Sequence, residues 1–139
     1  MSLRWRMRFL MLSGHLQARG TASRSVVCDD AGVSQVDWQG GQEVQHRLGW
    51  DEVGRVFAYR EDAHPFNRIS VALTDRDGTF RLKVSDEHAG FLSLIDELPR
   101  RLDGCLAPDG WLDSLPIIGG DPHMIELYRH PPAPTSSAP

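Results

Sequence analysis

Residues 69–84 constrain the fold more than any other part of the chain. Ile69-Ser70-Val71-Ala72-Leu73-Thr74 alternates strictly, and so does Thr79-Phe80-Arg81-Leu82-Lys83-Val84. Asp75-Arg76-Asp77-Gly78 stands between them. Alternation is the signature of a half-buried strand, and an Asp-Gly step suits a tight connection. The spacing predicts an antiparallel hairpin. Ile69, Val71 and Leu73 share its inner face with Phe80, Leu82 and Val84. Directly afterwards the apolar period changes from two to 3.6, with Phe91, Leu94, Ile95, Leu98 and Leu102 in one stripe. A chain that switches period in this way packs a helix on a sheet.

The region before the hairpin reads as further short strands. Arg24 to Cys28, Val33 to Trp38 and Glu43 to Leu48 are separated by Asp29-Asp30-Ala31-Gly32 and Gln39-Gly40-Gly41-Gln42, a meander with two tight turns. Val36 and Trp38 fall on one face, and Val44, His46 and Leu48 on one face. Trp50-Asp51-Glu52-Val53 predicts a single helical turn or bend. Arg55 to Arg60 alternates again, with Phe57 and Tyr59 together. Glu61 to Asn67, carrying Pro65, reads as a polar loop.

For the helix, Ser85 is the expected N-cap, with Asp86 and Glu87 near the positive end of the dipole and His88 at N3. Asp96 with Arg100 and Glu97 with Arg101 have the favourable i,i+4 order. Pro99 predicts a kink or break near Leu98, and Gly104 an end. Residues 105–122 are rich in Pro and Gly but hold Trp111, Leu112, Leu115, Ile117 and Ile118, so they should pack on the body. Met124 to Arg129 reads as a last strand. The organisation is one domain over 25–129, a basic leader over 1–24, and a disordered Pro/Ser tail over 130–139.

Charge narrows the function. The 139 residues carry a net charge of −4. Fourteen of the 15 basic residues are Arg, and Lys83 is the lone Lys. Arg4, Arg6, Arg8, Arg19 and Arg24 lie in the leader, which holds no Asp or Glu. The remaining residues set 10 basic against 19 acidic groups, a net −9. An acidic body argues against nucleic acid and favours a basic partner. The leader imitates a signal peptide, but Ser13-Gly14-His15 interrupts its apolar patch. It reads as disordered or as a mis-assigned start, with Met7 and Met11 as alternative starts. Phe9-Leu10-Met11-Leu12 is far too short to span a membrane. Cys28 and Cys105 stand apart in no ligand spacing, which fits a reduced cytoplasmic setting without a disulfide.

Several strands followed by one amphipathic helix suggest a mainly β (α+β) fold. The expected form is a partly open antiparallel barrel of six to seven short strands, with the helix plugging one end and a short C-terminal strand. At residues 50–103 the likeness becomes specific. Trp50-Asp51-Glu52-Val53, the Ala58-Tyr59-Arg60-Glu61-Asp62 strand end, the Leu73-Thr74-Asp75 to Gly78 hairpin and the Gly90-Phe91…Leu94…Leu98-Pro99…Leu102 helix carry it. Together with Trp111 and Leu127-Tyr128-Arg129, the chain resembles a family of small uncharacterised bacterial pleckstrin-homology-like proteins. The resemblance covers about residues 25–129 and implies a fold rather than a reaction. It departs at residues 115–123, where Leu115-Pro116-Ile117-Ile118-Gly119-Gly120 replaces an expected Pro-aromatic segment.

No local motif supplies chemistry. Phosphate-cradling glycine loops and a G-x-S-x-G elbow are absent, and Lys83 falls mid-strand, poorly placed for a phosphate loop or Schiff base. The six His form no zinc spacing. The only assembled alternative is a site from His46, His64 and Cys28. The adjacent carboxylate pairs read as solvated surface. These observations lead to a non-catalytic protein-interaction module with no cofactor and no metal. Its candidate docking residues are Glu61, Asp62, His64, Phe66 and Arg68, on what reads as the longest loop between strands. An immunity protein neutralising a neighbouring toxin is one specific form of this reading. An enzyme with a site assembled from distant residues is the other class. Binding of anionic lipid is disfavoured by the acidic Asp29-Asp30 turn.

Overall fold

In a computed structural model, residues 24–63, 66–112, 115 and 124–131 are described. Among these residues seven strands lie in two antiparallel sheets. The first contains β1 (Ser25–Cys28), β2 (Gly32–Gln39) and β3 (Gln42–Gly49), in that order. A 3₁₀ turn at Trp50–Glu52 leads out of it. The second contains β4 (Val53–Ala63), β5 (Phe66–Asp75), β6 (Phe80–Ser85) and β7 (Ile125–Arg129), in the order β6-β5-β4-β7. Helix α1 (Phe91–Arg101) and a short α2 (Pro108–Trp111) intervene before β7.

One core joins these layers. Val26, Val33 and Leu48 enter it from the first sheet, and Val56, Ala58, Ile69, Val71, Leu73, Leu82 and Val84 from the second. Phe91, Leu94, Ile95 and Leu98 close it from α1. Trp111, Leu112 and Leu115 are buried in the same cluster, as their sequence setting predicts, whereas Ile117 and Ile118 lie outside the described residues.

The expected barrel is not formed: neither sheet closes. Where β6 approaches the first sheet, side chains stand in for a ladder. The Lys83 backbone N–H donates to Gln35 Oε1 at 3.2 Å, and His88 meets Asp37 at 3.0 Å. A β6 donor that a neighbouring strand would otherwise take is satisfied by a side chain of β2.

Three local expectations are also corrected. Ser85 does not cap the helix; α1 begins at Phe91, after Gly90 at φ +94°. The polar residues from Ser85 to His88 form a turn, in which the His88 N–H donates to the Ser85 carbonyl at 2.9 Å. Pro99 does not break α1, which continues to Arg101. An interior proline costs about 3 kcal/mol. Each of the four buried apolar side chains of α1 contributes about 1.5–3 kcal/mol, so packing outweighs the lost bond. Lastly, Phe80 does not follow Leu82 and Val84 inward. Leu73 pairs with Leu82 but Thr74 pairs with Phe80, which makes Arg81 the extra residue of a β-bulge. Phe80 is turned outward and is 57% exposed.

Candidate functional site

The segment read as the longest loop is a hairpin. β4 and β5 remain paired through Arg60↔Ile69, Glu61↔Arg68, Asp62↔Asn67 and Ala63↔Phe66, leaving only His64 and Pro65 between the strands. β7 pairs with β4 only over Arg55–Ala58, and β6 with β5 only over Ser70–Thr74. Ile69 is still held by the Asp86 N–H at 2.9 Å, so the last three pairs extend past both neighbours as a two-stranded arm about 10 Å long, at roughly 3.3 Å per residue. The register sets Glu61 opposite Arg68 and Asp62 opposite Asn67. Phe66 opens β5, and His64 lies outside the described residues. Four of the five candidate docking residues thus share one element, and Arg68 reaches back to Glu87 at 3.0 Å. At the root of the arm Arg60 is buried, and desolvation lowers the pKa of its guanidinium.

A second constellation lies between the sheets. Asp37 Oδ1 is 3.0 Å from His88 Nε2, and His88 Nδ1 is 3.4 Å from Ser85 Oγ. Asp, His and Ser in sequence invite comparison with a nucleophilic triad. The hydrogen bonds decide against that role. The Ser85 backbone N–H donates to His88 Nδ1 at 3.2 Å. An amide can only donate, so Nδ1 accepts and the ring proton sits on Nε2, directed at Asp37. The single Nδ1 lone pair is already engaged and is not available to deprotonate Ser85. The group instead acts as a clasp that fastens β2 to the turn after β6. Gln35 completes it, donating through Nε2 to Asp37 Oδ2 at 2.7 Å.

Many of the described acidic residues have structural work. Asp29 Oδ1 accepts from the N–H groups of Ala31 and Gly32, and Arg47 joins it at 3.2 Å; these bonds lower its pKa. The Asp75 carboxylate accepts from Thr79 and Asp77 within the β5–β6 turn and is lowered likewise. Glu52 accepts from the Gly49 N–H. Arg100 pairs with Asp96, and Arg101 with Glu97, in the predicted i,i+4 order. Both thiols are reduced, and burial raises Cys28 to about 11 and Cys105 to about 12. Among the described residues no three His, Cys, Asp or Glu side chains converge as metal ligands, and no helix is long and apolar enough to cross a membrane.

The bulge at Arg81 shapes the surface beside the clasp. Phe80 stands on the outer face of the second sheet, its ring 5.9 Å from Phe57. With Tyr59, Ala72, Leu82 and Met124 it lines an apolar hollow of about 310 Å³. A polar cleft of about 380 Å³ adjoins it, and Arg81 and Lys83 line both. Sequence reasoning did not find this pair of hollows, because alternation alone sends Phe80 into the core.

Compared with family models, with curated proteins and with solved structures, the chain finds no match. Its functional reading therefore rests on its own geometry.

Proposed function

We propose that this chain is a non-catalytic interaction module of pleckstrin-homology-like kind that docks another protein through the β4–β5 arm. The observation that carries the reading is the extension of the arm beyond β6 and β7. Past Ala58, β4 has no strand on its outer side among the described residues. Unpaired strand edges carry N–H and C=O groups that a partner segment can satisfy. The acidic body, net −9 over residues 25–139, steers a basic partner toward this surface. The engaged lone pair of His88 supports a non-catalytic role. The pleckstrin-homology-like kinship draws support from two local features. Trp50-Asp51-Glu52 leads into the 11-residue β4, and Gly90-Phe91 opens the helix.

The test is affinity capture from the native host, followed by binding measurements on the captured partner. The baits are the wild-type chain and a Glu61→Arg/Asp62→Arg variant. The expected result is a basic partner whose affinity falls about tenfold or more in the variant, as loss of favourable charge pairs implies. Equal affinity for both baits would remove the arm from the interface.

A further inference from the structure

We propose that the two adjoining hollows form one site for a small anion carrying an apolar ring or short acyl group, its charge held at Arg81 and Lys83. The argument starts from sign. Residues 25–139 are net −9, yet the polar cleft is lined by Arg24, Arg68, Arg81 and Lys83 against Asp37, and the four cations still outnumber the carboxylates when Glu87 and Asp75, paired to three of the guanidinium groups, are counted with it. His46 and Gln39 add polar groups to its wall. A local excess of cations on an acidic protein selects for negative charge at that place.

The guanidinium groups are already arranged for oxyanions. Glu87 accepts from Arg24 at 2.9 Å and from Arg68 at 3.0 Å, and Asp75 holds Arg81 at 3.4 Å. The Arg81 pair is half-exposed, and such pairs contribute only about 0–1 kcal/mol, so an incoming anion competes with it at little cost. The planar fork of Arg suits phosphate and carboxylate.

The apolar half is equally specific. Phe80 is 57% exposed and Met124 49%, beside the rings of Phe57 and Tyr59. Lys83 Nζ stands 5.8 Å from the Tyr59 ring centre, at the boundary between the two hollows. A ligand whose charge lies at that boundary reaches apolar surface on one side and cations on the other. The volumes, about 310 and 380 Å³, fall in the range of small-molecule sites.

The full chain is titrated by calorimetry with 1-naphthyl phosphate, inorganic phosphate and 1-naphthol at constant ionic strength. Naphthyl phosphate is expected to bind with 1:1 stoichiometry and about tenfold or more tighter than either half-ligand. Arg81→Ala/Lys83→Ala should weaken it about tenfold while leaving naphthol unchanged. Phe80→Ser should weaken both naphthyl probes and leave phosphate unchanged. All three side chains are exposed, so thermal melting of each variant should match the wild type. Equal binding of all three probes, or no response to these substitutions, would overturn the proposal. So would a wild-type dimer in sedimentation that Phe80→Ser dissolves, since the hollow would then be an interface between copies.

Discussion

Gly90 is the position at which a single methyl group should do the most damage. It sits at φ +94°, and a Cβ built there would lie 2.2 Å from the Val26 carbonyl oxygen. That oxygen belongs to β1, which is tied to the segment before α1 by two backbone bonds. Val26 donates to the Ala89 carbonyl at 2.8 Å, and Ala89 to the Arg24 carbonyl at 3.0 Å. The chain cannot retreat from the methyl without losing these. Gly104 provides the control. Its φ is +88°, but nothing lies within 4 Å of a Cβ there. Gly104→Ala therefore carries only the strain of the left-handed region, about 1 kcal/mol. Gly90→Ala adds a backbone clash and the partial loss of two hydrogen bonds, for a total of about 3 kcal/mol or more. With a urea slope of about 2 kcal/mol/M, the midpoint should fall by about 1.5 M for Gly90→Ala and about 0.5 M for Gly104→Ala. Hydrogen exchange at the Val26 amide should accelerate only in the Gly90 variant. Equal midpoints for the two variants would refute the close approach of β1 to the start of α1.

Other outcomes follow from the clasp, the surface charges and the thiols. Gln35→Met keeps side-chain volume but leaves the Lys83 N–H without its acceptor, so stability should fall by about 1–3 kcal/mol and Lys83 amide protection should drop; unchanged protection would mean that Gln35 does not cover the β6 edge. Hydrogen bonds from Arg129 and then Arg55 lower Glu126 from its usual 4.5 to about 2. The fold thus favours the ionised carboxylate, and this stabilisation is complete above about 4.5 and lost as pH falls toward 2. Glu126→Gln should flatten the acid limb of a stability–pH curve, and an unaltered limb would assign acid sensitivity elsewhere. Burial cuts the already small thiolate fraction of Cys28 and Cys105 at neutral pH further, so iodoacetamide should label both more slowly in the native state than in urea. Rapid native labelling of Cys105 would contradict its burial.

The elements legible in the sequence are those decided by local chemistry. The Asp75–Gly78 turn closes with the Gly78 N–H donating to the Asp75 carbonyl at 3.0 Å. Gly40 and Gly41 take the positive φ angles that their turn requires, and Trp50–Glu52 forms one helical turn. The stripe of Phe91, Leu94, Ile95 and Leu98 is the core face of α1. What escaped reading is decided by a partner elsewhere in the chain. Val36 and Trp38 do share a face, but Val33 and Leu48 are the pair that enters the core, and Trp38 is 50% exposed. Ser85 has the chemistry of a cap, yet its neighbour His88 is drawn to Asp37, 51 residues away. The segment carrying the candidate docking residues reads as a loop but forms a hairpin, because Pro65 and the polar run hide a ten-pair ladder. The cleft was missed because Lys83 and Arg81 acquire meaning only through a bulge that no residue of β6 announces.

The bridge between Ser25 and Ala89 also bears on how the chain reaches its fold. Every strand pair except β4–β7 joins neighbours in sequence, so both sheets can begin to zip from their own turns. The bridge closes a segment of more than 60 residues, and β7 reaches β4 across a separation of about 70, as the Arg55–Glu126 pair shows. Long closures lose chain entropy before any contact compensates, so these two fastenings are expected to form last. Substitutions at Gly90 or Leu127 should then speed unfolding and leave folding rates nearly untouched, whereas a slowed folding limb would place the corresponding closure at the rate-limiting step. On this ordering, the Ser25–Ala89 bridge and the β7 edge of the second sheet are where the molecule first comes apart.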